Sequence, residues 1–405
     1  MCGWNLTHHG ELHPTIKNQN YKRMKHFLTN FFLIAFSVVS VAQNPDSVMI
    51  SKIFKNALDS KEDYLNLKEL MIQAAPRELG SHNSLVAVDL LKQMLDKQNC
   101  NELKLQPYNV DAWQHIGSYA TLELGNGKSI KLNVKALGPS VPTSKTGLTA
   151  EVLEVSSIKE LKSLEKEQVE GRIVFFNNLM NNDFSWPVNA YIYAVQPRLF
   201  GANEAAKKGA IGTIMRSITT LKDNHVHTGC MRYNDEDKKI PAVAISTKEA
   251  DLLSSIIGSN SNAKLNLKVF TRIEENHKTY NIIAEKKGST HPEEVIAIGA
   301  HIDTWYNTPG AHDDGAGCVQ MIDVLRIFEE LNIDNKRTIR VILFMDEEMF
   351  TSGAKAYVAQ HNNPNEKFIA AIESDLGALS PEGFLIDGSN EEISKIQGFS
   401  GILKS

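Results

Sequence analysis

The stretch VIAIGAHIDTWYNTPGAHDDGAG, residues 295–317, has the composition of a buried strand, a polar loop and the start of a helix. Its first six residues are apolar or glycine, which is typical of a strand in a sheet that is covered on both faces. His301 and Asp303 follow the strand at once, and the glycine-rich loop ends in Asp313 and Asp314. This density of imidazole and carboxylate groups indicates a metal site.

Two apolar runs downstream end in the same kind of residue. VILFM is followed closely by Glu347 and Glu348, and FIAAI is followed by Glu373 and Asp375. Ligands of open α/β sheets gather at the carboxyl ends of the strands, so clusters that are distant in sequence can meet there. We therefore expect the three clusters to converge.

Several carboxylates cannot share a dry pocket unless a cation neutralises them. No lysine or arginine lies among these clusters, since Arg340 starts a strand and Lys355 is expected on the far side of a helix. A divalent metal is the simplest explanation. Mixed imidazole and carboxylate ligation favours zinc over calcium or magnesium, whose ligands are normally all oxygen.

The expected geometry assigns roles to these side chains. Asp313 can bridge two ions about 3.5–4 Å apart. His301 would ligate one ion, and Asp303 would orient its imidazole. Of Glu347 and Glu348, one would ligate and the other would act as general base.

Each cluster alone has a simpler explanation. DDGAG alone is often a turn with a helix N-cap, and two adjacent glutamates are usually a solvated helix start. Three such clusters at consecutive strand ends favour the metal site. His225 and His227 are interpreted as part of a solvated loop, and His291, His312 and His361 as exposed residues.

The N-terminal residues predict an exported chain. A basic segment, KRMKH, precedes the apolar segment FLTNFFLIAFSVVSVA, which indicates a signal peptide cleaved after Ala42. Residues 1–23 are interpreted as an over-extended gene model because Met24 would be a more usual start. A short membrane anchor is the alternative. The net charge of −5 provides no basic surface, which argues against nucleic acid as a partner.

The rest of the chain divides by its hydrophobic pattern. Residues 47–100 predict two helices around the loop APRELGSHNS, and residues 101–133 predict strands with a hairpin at Asn126-Gly127. Residues 147–270 alternate strands and helices without a catalytic cluster, which predicts an inserted domain. From residue 271 the pattern is strongly α/β. Cys100, Cys230 and Cys318 allow at most one disulfide, whose pairing stays open.

HIDTW, HDDGAG, MDEE and ESDLG, in that order, resemble the M28 family of zinc exopeptidases. The inserted segment and APRELGS resemble a subfamily of secreted dipeptidases. The resemblance implies an α/β zinc-exopeptidase sandwich with a mostly parallel central sheet. It implies a peptidase domain formed by residues 43–146 and 271–405, a protease-associated domain over residues 147–270, and a homodimer.

Position by position, the resemblance implies two zinc ions. His301 would bind one of them, Asp313 would bridge both, and Glu348 and Asp375 would be further ligands. Glu347 would be the general base. The family also implies a cis peptide bond after Asp313.

One departure from the family pattern concerns the C-terminal end. The family supplies a second ligating histidine beyond the ESD strand, and no histidine follows Asp375 here. We expect a chain that is incomplete there, with an exposed sheet edge, or secondly a natural pseudoenzyme. The predicted function is an exported di-zinc exopeptidase that acts on dipeptides or short peptides. An aminopeptidase and a non-catalytic binding protein are the alternatives.

Overall fold

A computed structural model describes residues 45–403, apart from 126, 182, 185, 186, 235, 237, 261, 362 and 376–382. The predicted leader and Asn126 of the predicted hairpin lie outside the described residues. Within these ranges, no helix has both the length and the apolar character needed to cross a membrane.

Twelve helices are described, together with a π-helical turn at Ala311–Gly315. In chain order they are α1 Pro45–Asp59, α2 Glu62–Ala74, α3 His82–Asp96, α4 Ile158–Ser163, α5 Lys166–Val169, α6 Pro187–Ala194, α7 Gln196–Lys207, α8 Thr247–Ser259, α9 Ala316–Glu330, α10 Ser352–Gln360, α11 Asn390–Gln397 and α12 Ser400–Leu403.

Eleven strands are described in the same ranges. They are β1 Glu102–Glu123, β2 Ser129–Leu132, β3 Val134–Ala136, β4 Leu148–Val155, β5 Ile173–Phe176, β6 Gly212–Arg216, β7 Ala242–Ile245, β8 Lys264–Lys286, β9 His291–His301, β10 Arg337–Phe344 and β11 Lys367–Glu373.

The N-terminal region contains three helices, not the two that were predicted. The pattern over residues 47–74 is continuous in hydrophobicity, but the chain leaves the helical path after Asp59 and resumes at Glu62. A loop is present between α2 and α3, but the last three residues of the predicted stretch APRELGSHNS belong to α3, which begins at His82. The loop ends at Ser81, whose hydroxyl accepts a hydrogen bond from the N–H of Ser84 and caps α3.

The central sheet is mixed, so the expectation of a mostly parallel sheet is wrong. β9 pairs in parallel with β10 and β11, as the buried apolar strands predicted. The difference comes from β1 and β8, which form a long antiparallel ribbon from Glu102↔Glu285 to Glu123↔Lys264, and β8 pairs antiparallel with β10. β11 forms one edge of the sheet, and its Phe368, Ile369 and Ile372 are exposed.

A second group of strands continues from the other half of β8. β4 pairs antiparallel with the start of β8, and β5, β6 and β7 follow in parallel. β3 precedes the predicted boundary at residue 147, yet it pairs with β7. This group matches the strand and helix alternation predicted for residues 147–270, whose assignment as a separate domain stays a prediction.

The core beneath the candidate site forms between the sheet and three helices. Leu70 of α2, Leu91 of α3 and Ile322 of α9 pack with Ile298 of β9 and Val341 of β10 in one buried cluster. Burial of each such side chain contributes roughly 1.5–3 kcal/mol relative to an exposed position. The strand ends that carry the acidic clusters therefore lie next to a well-packed core. Among the described residues, Cys100, Cys230 and Cys318 form no disulfide.

Candidate active site

The carboxyl ends of three neighbouring strands bring the predicted clusters together. His301, the last residue of β9, is paired with Phe344, the last residue of β10. Glu373, the last residue of β11, is paired with Gly299 on the other side of β9. Because these strands run parallel, the loops that follow them leave from the same edge of the sheet.

Three predicted ligands lie at the spacing of donors to a common ion. His301 Nε2 is 3.1 Å from Asp313 Oδ1 and 3.8 Å from Asp375 Oδ1. One ligand atom from each residue falls within 4.8 Å of the others. The peptide bond between Asp313 and Asp314 is cis, as the resemblance implied.

Asp303 makes a different principal contact from the one expected. His301 Nδ1 lies 3.1 Å from the main-chain oxygen of Asp303 and 3.8 Å from its carboxylate. The carboxylate instead accepts hydrogen bonds from the main-chain N–H groups of Glu347 at 3.1 Å and Glu348 at 3.3 Å. Asp303 thereby connects the end of β9 to the turn that follows β10.

Asp314 is wholly buried and acts within the loop. Its carboxylate accepts hydrogen bonds from the N–H of His301 and the N–H of Gly317, each at 3.0 Å. Burial raises the pKa of Asp314 to about 8. The side chain joins the end of β9 to the start of α9, a contact that sequence spacing did not predict.

The electrostatics of the cluster favour a bound cation. Burial alone would lower the pKa of His301, but the carboxylates of Asp313 and Asp375 raise it above its ordinary value. Burial raises the pKa of Glu347 to about 7, and burial together with Asp313 raises the pKa of Glu348. The cluster therefore contains too little positive charge for all of its acids to be ionised at the same time.

The donor set fits zinc. It combines an imidazole nitrogen with carboxylate oxygens, as zinc sites do. In addition, Glu348 Oε1 is buried without a hydrogen-bond partner among the described residues, which leaves a carboxylate oxygen free to ligate. Asp375 is 41% exposed at its side chain, so the cluster is open to solvent on one side.

A cleft of about 880 Å³ lies beside Glu347 and Glu348. Its other lining residues include Arg232 and Lys239 from the segment of residues 147–270, and Lys355 from α10. Lys355 was expected on the far side of its helix, and its position on the cleft wall corrects that expectation. Its Nζ donates to the main-chain oxygen of Phe350 at 2.6 Å.

A second basic residue near the cluster was missed. Arg77, in the APRELGS loop, donates to main-chain oxygens of the segment between His301 and Asp313. The expectation that no arginine lies near the acids is therefore wrong. The available signal was one arginine among small and apolar residues between two helices, but its partner is more than two hundred residues away.

His225 and His227 lie apart from this cluster. They line a separate pocket of about 550 Å³ with Trp305 and Asn307. Both are exposed, and in the described part of the chain neither belongs to a group of three metal donors.

Comparison with known proteins places the site in a family. A model described as Peptidase family M28 matches residues 281–400. Carboxypeptidase Q from Bos taurus is 31% identical over 328 residues, which cover 81% of this chain and 67% of the relative. Carboxypeptidase Q from Mus musculus is 28% identical over 376 residues, which cover 93% and 75%.

Solved structures agree with this comparison. The crystal structure of a Peptidase M28 precursor from Shewanella amazonensis SB2B matches with a TM-score of 0.77 and 32% identity, over 82% of this chain and 74% of that one. BSAP, a zinc aminopeptidase from Bacillus subtilis, matches with a TM-score of 0.56 and 22% identity, over 78% and 69%, which shows a shared fold. The chain therefore belongs to peptidase family M28, a family of metallopeptidases.

Proposed function

We propose that the chain is an exported di-zinc exopeptidase that hydrolyses dipeptides or short peptides. The observation that carries this proposal is the convergence of His301, Asp313 and Asp375 beside a cleft that contains Glu347. His301, Asp313, Glu348 and Asp375 would hold the zinc ions. The signal-like leader supports export.

When bound, zinc supplies a Lewis acid that activates water and polarises the scissile carbonyl. Glu347 accepts a proton from the attacking water at its carboxylate and passes it to the nitrogen of the leaving amine. The hydrogen bond from the Glu347 N–H to Asp303 holds the main chain beneath this carboxylate. Asp303 is thus a positioning residue for both Glu347 and His301.

The charges of the cleft support a substrate with a free C-terminal carboxylate. Arg232, Lys239 and Lys355 line the same cleft as Glu347, and all three are exposed. Cations that line the same cleft as the proposed general base suit a substrate with an anionic end group. This favours dipeptidase or carboxypeptidase activity over an aminopeptidase that needs only a free amine.

The segment of residues 147–270 would form one wall of the cleft. Arg232, Tyr233 and Lys239 come from this segment, whereas Glu347 and Lys355 come from the catalytic part of the chain. We infer that this segment is the protease-associated domain and that it restricts the cleft to small substrates. A homodimer stays a prediction, which light scattering on the purified chain would test.

The decisive experiment measures zinc per chain and hydrolysis on the same purified sample. We expect about two zinc ions and turnover of a dipeptide with free termini. Amidation of the substrate C-terminus should reduce kcat/KM more than acetylation of its N-terminus, and the reverse order would favour an aminopeptidase. Bound zinc without hydrolysis of any short peptide would favour the non-catalytic binding protein, and no zinc would contradict the proposal.

A further inference from the structure

Arg77 lies in the connection between α2 and α3 and is wholly buried, with 0% of its surface exposed. Its guanidinium donates to three main-chain oxygens of one loop, residues 302–310. The bonds run from Nε to Ile302 at 2.7 Å, from Nη1 to Pro309 at 2.9 Å and from Nη2 to Gly310 at 3.0 Å. Its own N–H donates to Thr304 Oγ1 at 2.9 Å. One residue therefore joins both ends of this loop.

These partners differ from those of the other buried arginines in the described ranges. Each of the others contacts carboxylates directly: Arg216 contacts Asp251, Arg326 contacts Asp323 and Glu330, and Arg340 contacts Glu285 and Glu366. Arg77 forms no ion pair with any described residue, and all of its side-chain hydrogen bonds go to carbonyl oxygens. The Arg77 side chain therefore binds the main chain of the loop and no side chain within it.

A buried arginine in this position lowers the stability of the folded state unless its charge is compensated. Removing its charge from water carries a large desolvation cost, and apolar side chains of similar volume often replace buried charges without loss of stability. Burial lowers the pKa of Arg77, while the nearby carboxylates of Asp303 and Asp314 act in the opposite direction. Packing alone therefore does not explain a buried arginine at this position.

The two ends of the loop are adjacent to proposed metal ligands. Ile302 follows His301, and Gly310 lies three residues before Asp313. The oxygen of Gly310 also accepts from the N–H of Gly315 at 3.0 Å, so Arg77 and the turn before α9 share one acceptor. A shift of either end would change the 3.1 Å separation of His301 Nε2 and Asp313 Oδ1.

We propose that Arg77 is a positioning residue for the metal centre: its three hydrogen bonds fix the separation of the loop ends and so hold His301 and Asp313 at the spacing of ligands to one ion. The proposal rests on the proposed zinc function. A lysine cannot replace it, because one ammonium group cannot reach three carbonyls that a planar guanidinium spans.

The test measures the zinc affinity of the full chain by competition with a chelator of known affinity. Arg77→Met and Arg77→Lys are compared with Arg340→Met, which removes another buried arginine away from the cluster. Far-UV circular dichroism and the unfolding temperature of the metal-free proteins report folding. We expect both Arg77 variants to bind zinc about 10–100-fold more weakly, which is typical for residues that orient metal ligands. Arg340→Met should lower the unfolding temperature and leave zinc affinity unchanged.

Wild-type zinc affinity in folded Arg77→Met or Arg77→Lys would overturn the proposal and leave the zinc function intact. If the wild-type chain itself binds no zinc, it is the proposed function that fails. Should both Arg77 variants fail to fold, Arg77→Gln decides, because its neutral amide leaves no buried charge and can donate to at most two of the three carbonyls. Zinc binding weakened about threefold or more by Arg77→Gln supports the proposal, and unchanged binding contradicts it.

Discussion

At the scale of single residues, the site separates groups that would hold metal from the group that would move protons. His301, Asp313 and Asp375 face one another, while Glu347 lies in the adjoining cleft with its main chain held by Asp303. A carboxylate that is beside the donors, and not among them, can accept a proton without leaving the metal. Glu348 lines the same cleft as Glu347, so its proposed role as a ligand rests on the family resemblance and on its buried Oε1 without a hydrogen-bond partner among the described residues.

We expect Glu347→Gln to reduce kcat for a dipeptide by about 10²–10⁴-fold, because glutamine cannot accept the proton of the attacking water. Zinc content should remain that of the wild type, which elemental analysis of the same sample checks. Glu373→Gln, at the end of neighbouring β11, is the control for loss of a nearby carboxylate and should retain most activity. Loss of zinc in Glu347→Gln would instead identify Glu347 as a ligand.

Glu78 gives a pH prediction that is independent of the metal. Burial raises its pKa from an ordinary value of 4.5 to about 8. Between these two pH values the Glu78 carboxyl loses its proton in the unfolded chain and keeps it in the folded chain. The free energy of unfolding therefore falls as pH rises, by up to about 1.4 kcal/mol per pH unit. Glu78→Gln should reduce this fall.

The measurement is the free energy of unfolding from urea titrations at about pH 5 and pH 8. Glu167→Gln, on the surface of α5, is the control for removal of an exposed acid and should leave the wild-type difference intact. An equal loss of stability with pH in wild type and Glu78→Gln would show that Glu78 is not the responsible group.

The residues of the site were predictable to different degrees. The convergence of the three clusters follows from acids and imidazole at successive strand ends, a rule that needs only local sequence, whereas the choice of Asp375 over Glu373 as a ligand came from the family resemblance. The contacts of Asp303 and Arg77 were not predictable in this way, because each depends on where a distant segment folds. Arg77 reaches Ile302, which is 225 positions away.

At the scale of elements, the two halves of the loop between β9 and α9 lie in close contact with each other. Gly310 has a φ of +65°, and a Cβ there would lie 2.0 Å from Thr304 Cγ2 and 2.8 Å from the oxygen of Asp313. The glycine therefore serves both conformation and close approach. Any side chain at this position would push apart the two halves of the loop.

Gly310→Ala should weaken zinc binding at least about tenfold, since the clash displaces the loop that carries the ligands. Gly171→Ala is a matched control, because Gly171 has a φ of +74° and open space around the added Cβ. Both variants carry the left-handed backbone penalty of about 1–2 kcal/mol, visible in denaturant unfolding. Equal zinc affinity in the two variants would contradict the importance of the clash.

The elements that were predicted correctly are those with a clear hydrophobic pattern in the sequence. β9, β10 and α10 coincide with apolar runs and helical spacing in the sequence. The break between α1 and α2 was missed because no proline or glycine marks Ser60 and Lys61. The antiparallel pairing of β1 with β8 was also missed, since two strands separated by more than a hundred residues carry no local sign of their pairing.

At the scale of the whole molecule, the acid cluster predicts that metal and stability are coupled. Chelation of zinc should lower the unfolding temperature, and added zinc should restore it, because ligands that bind only the folded state stabilise it by about 2.7 kcal/mol at one hundred times Kd. Differential scanning calorimetry with and without chelator measures this. An unfolding temperature that does not respond to zinc would contradict a metal site built by these residues.

β8 has a mechanical consequence. A strand of 23 residues is roughly 75 Å long at about 3.3 Å per residue. One half pairs with β4, from the segment that supplies Arg232, and the other half pairs with β10, whose end leads to Glu347. The two walls of the cleft are thus connected by one strand, with which β1 pairs on both sides of the register shifts between Val110 and Gly117. We expect the width of the cleft to limit the length of the peptides that are hydrolysed, and kcat/KM for a series of peptides of increasing length measures that limit.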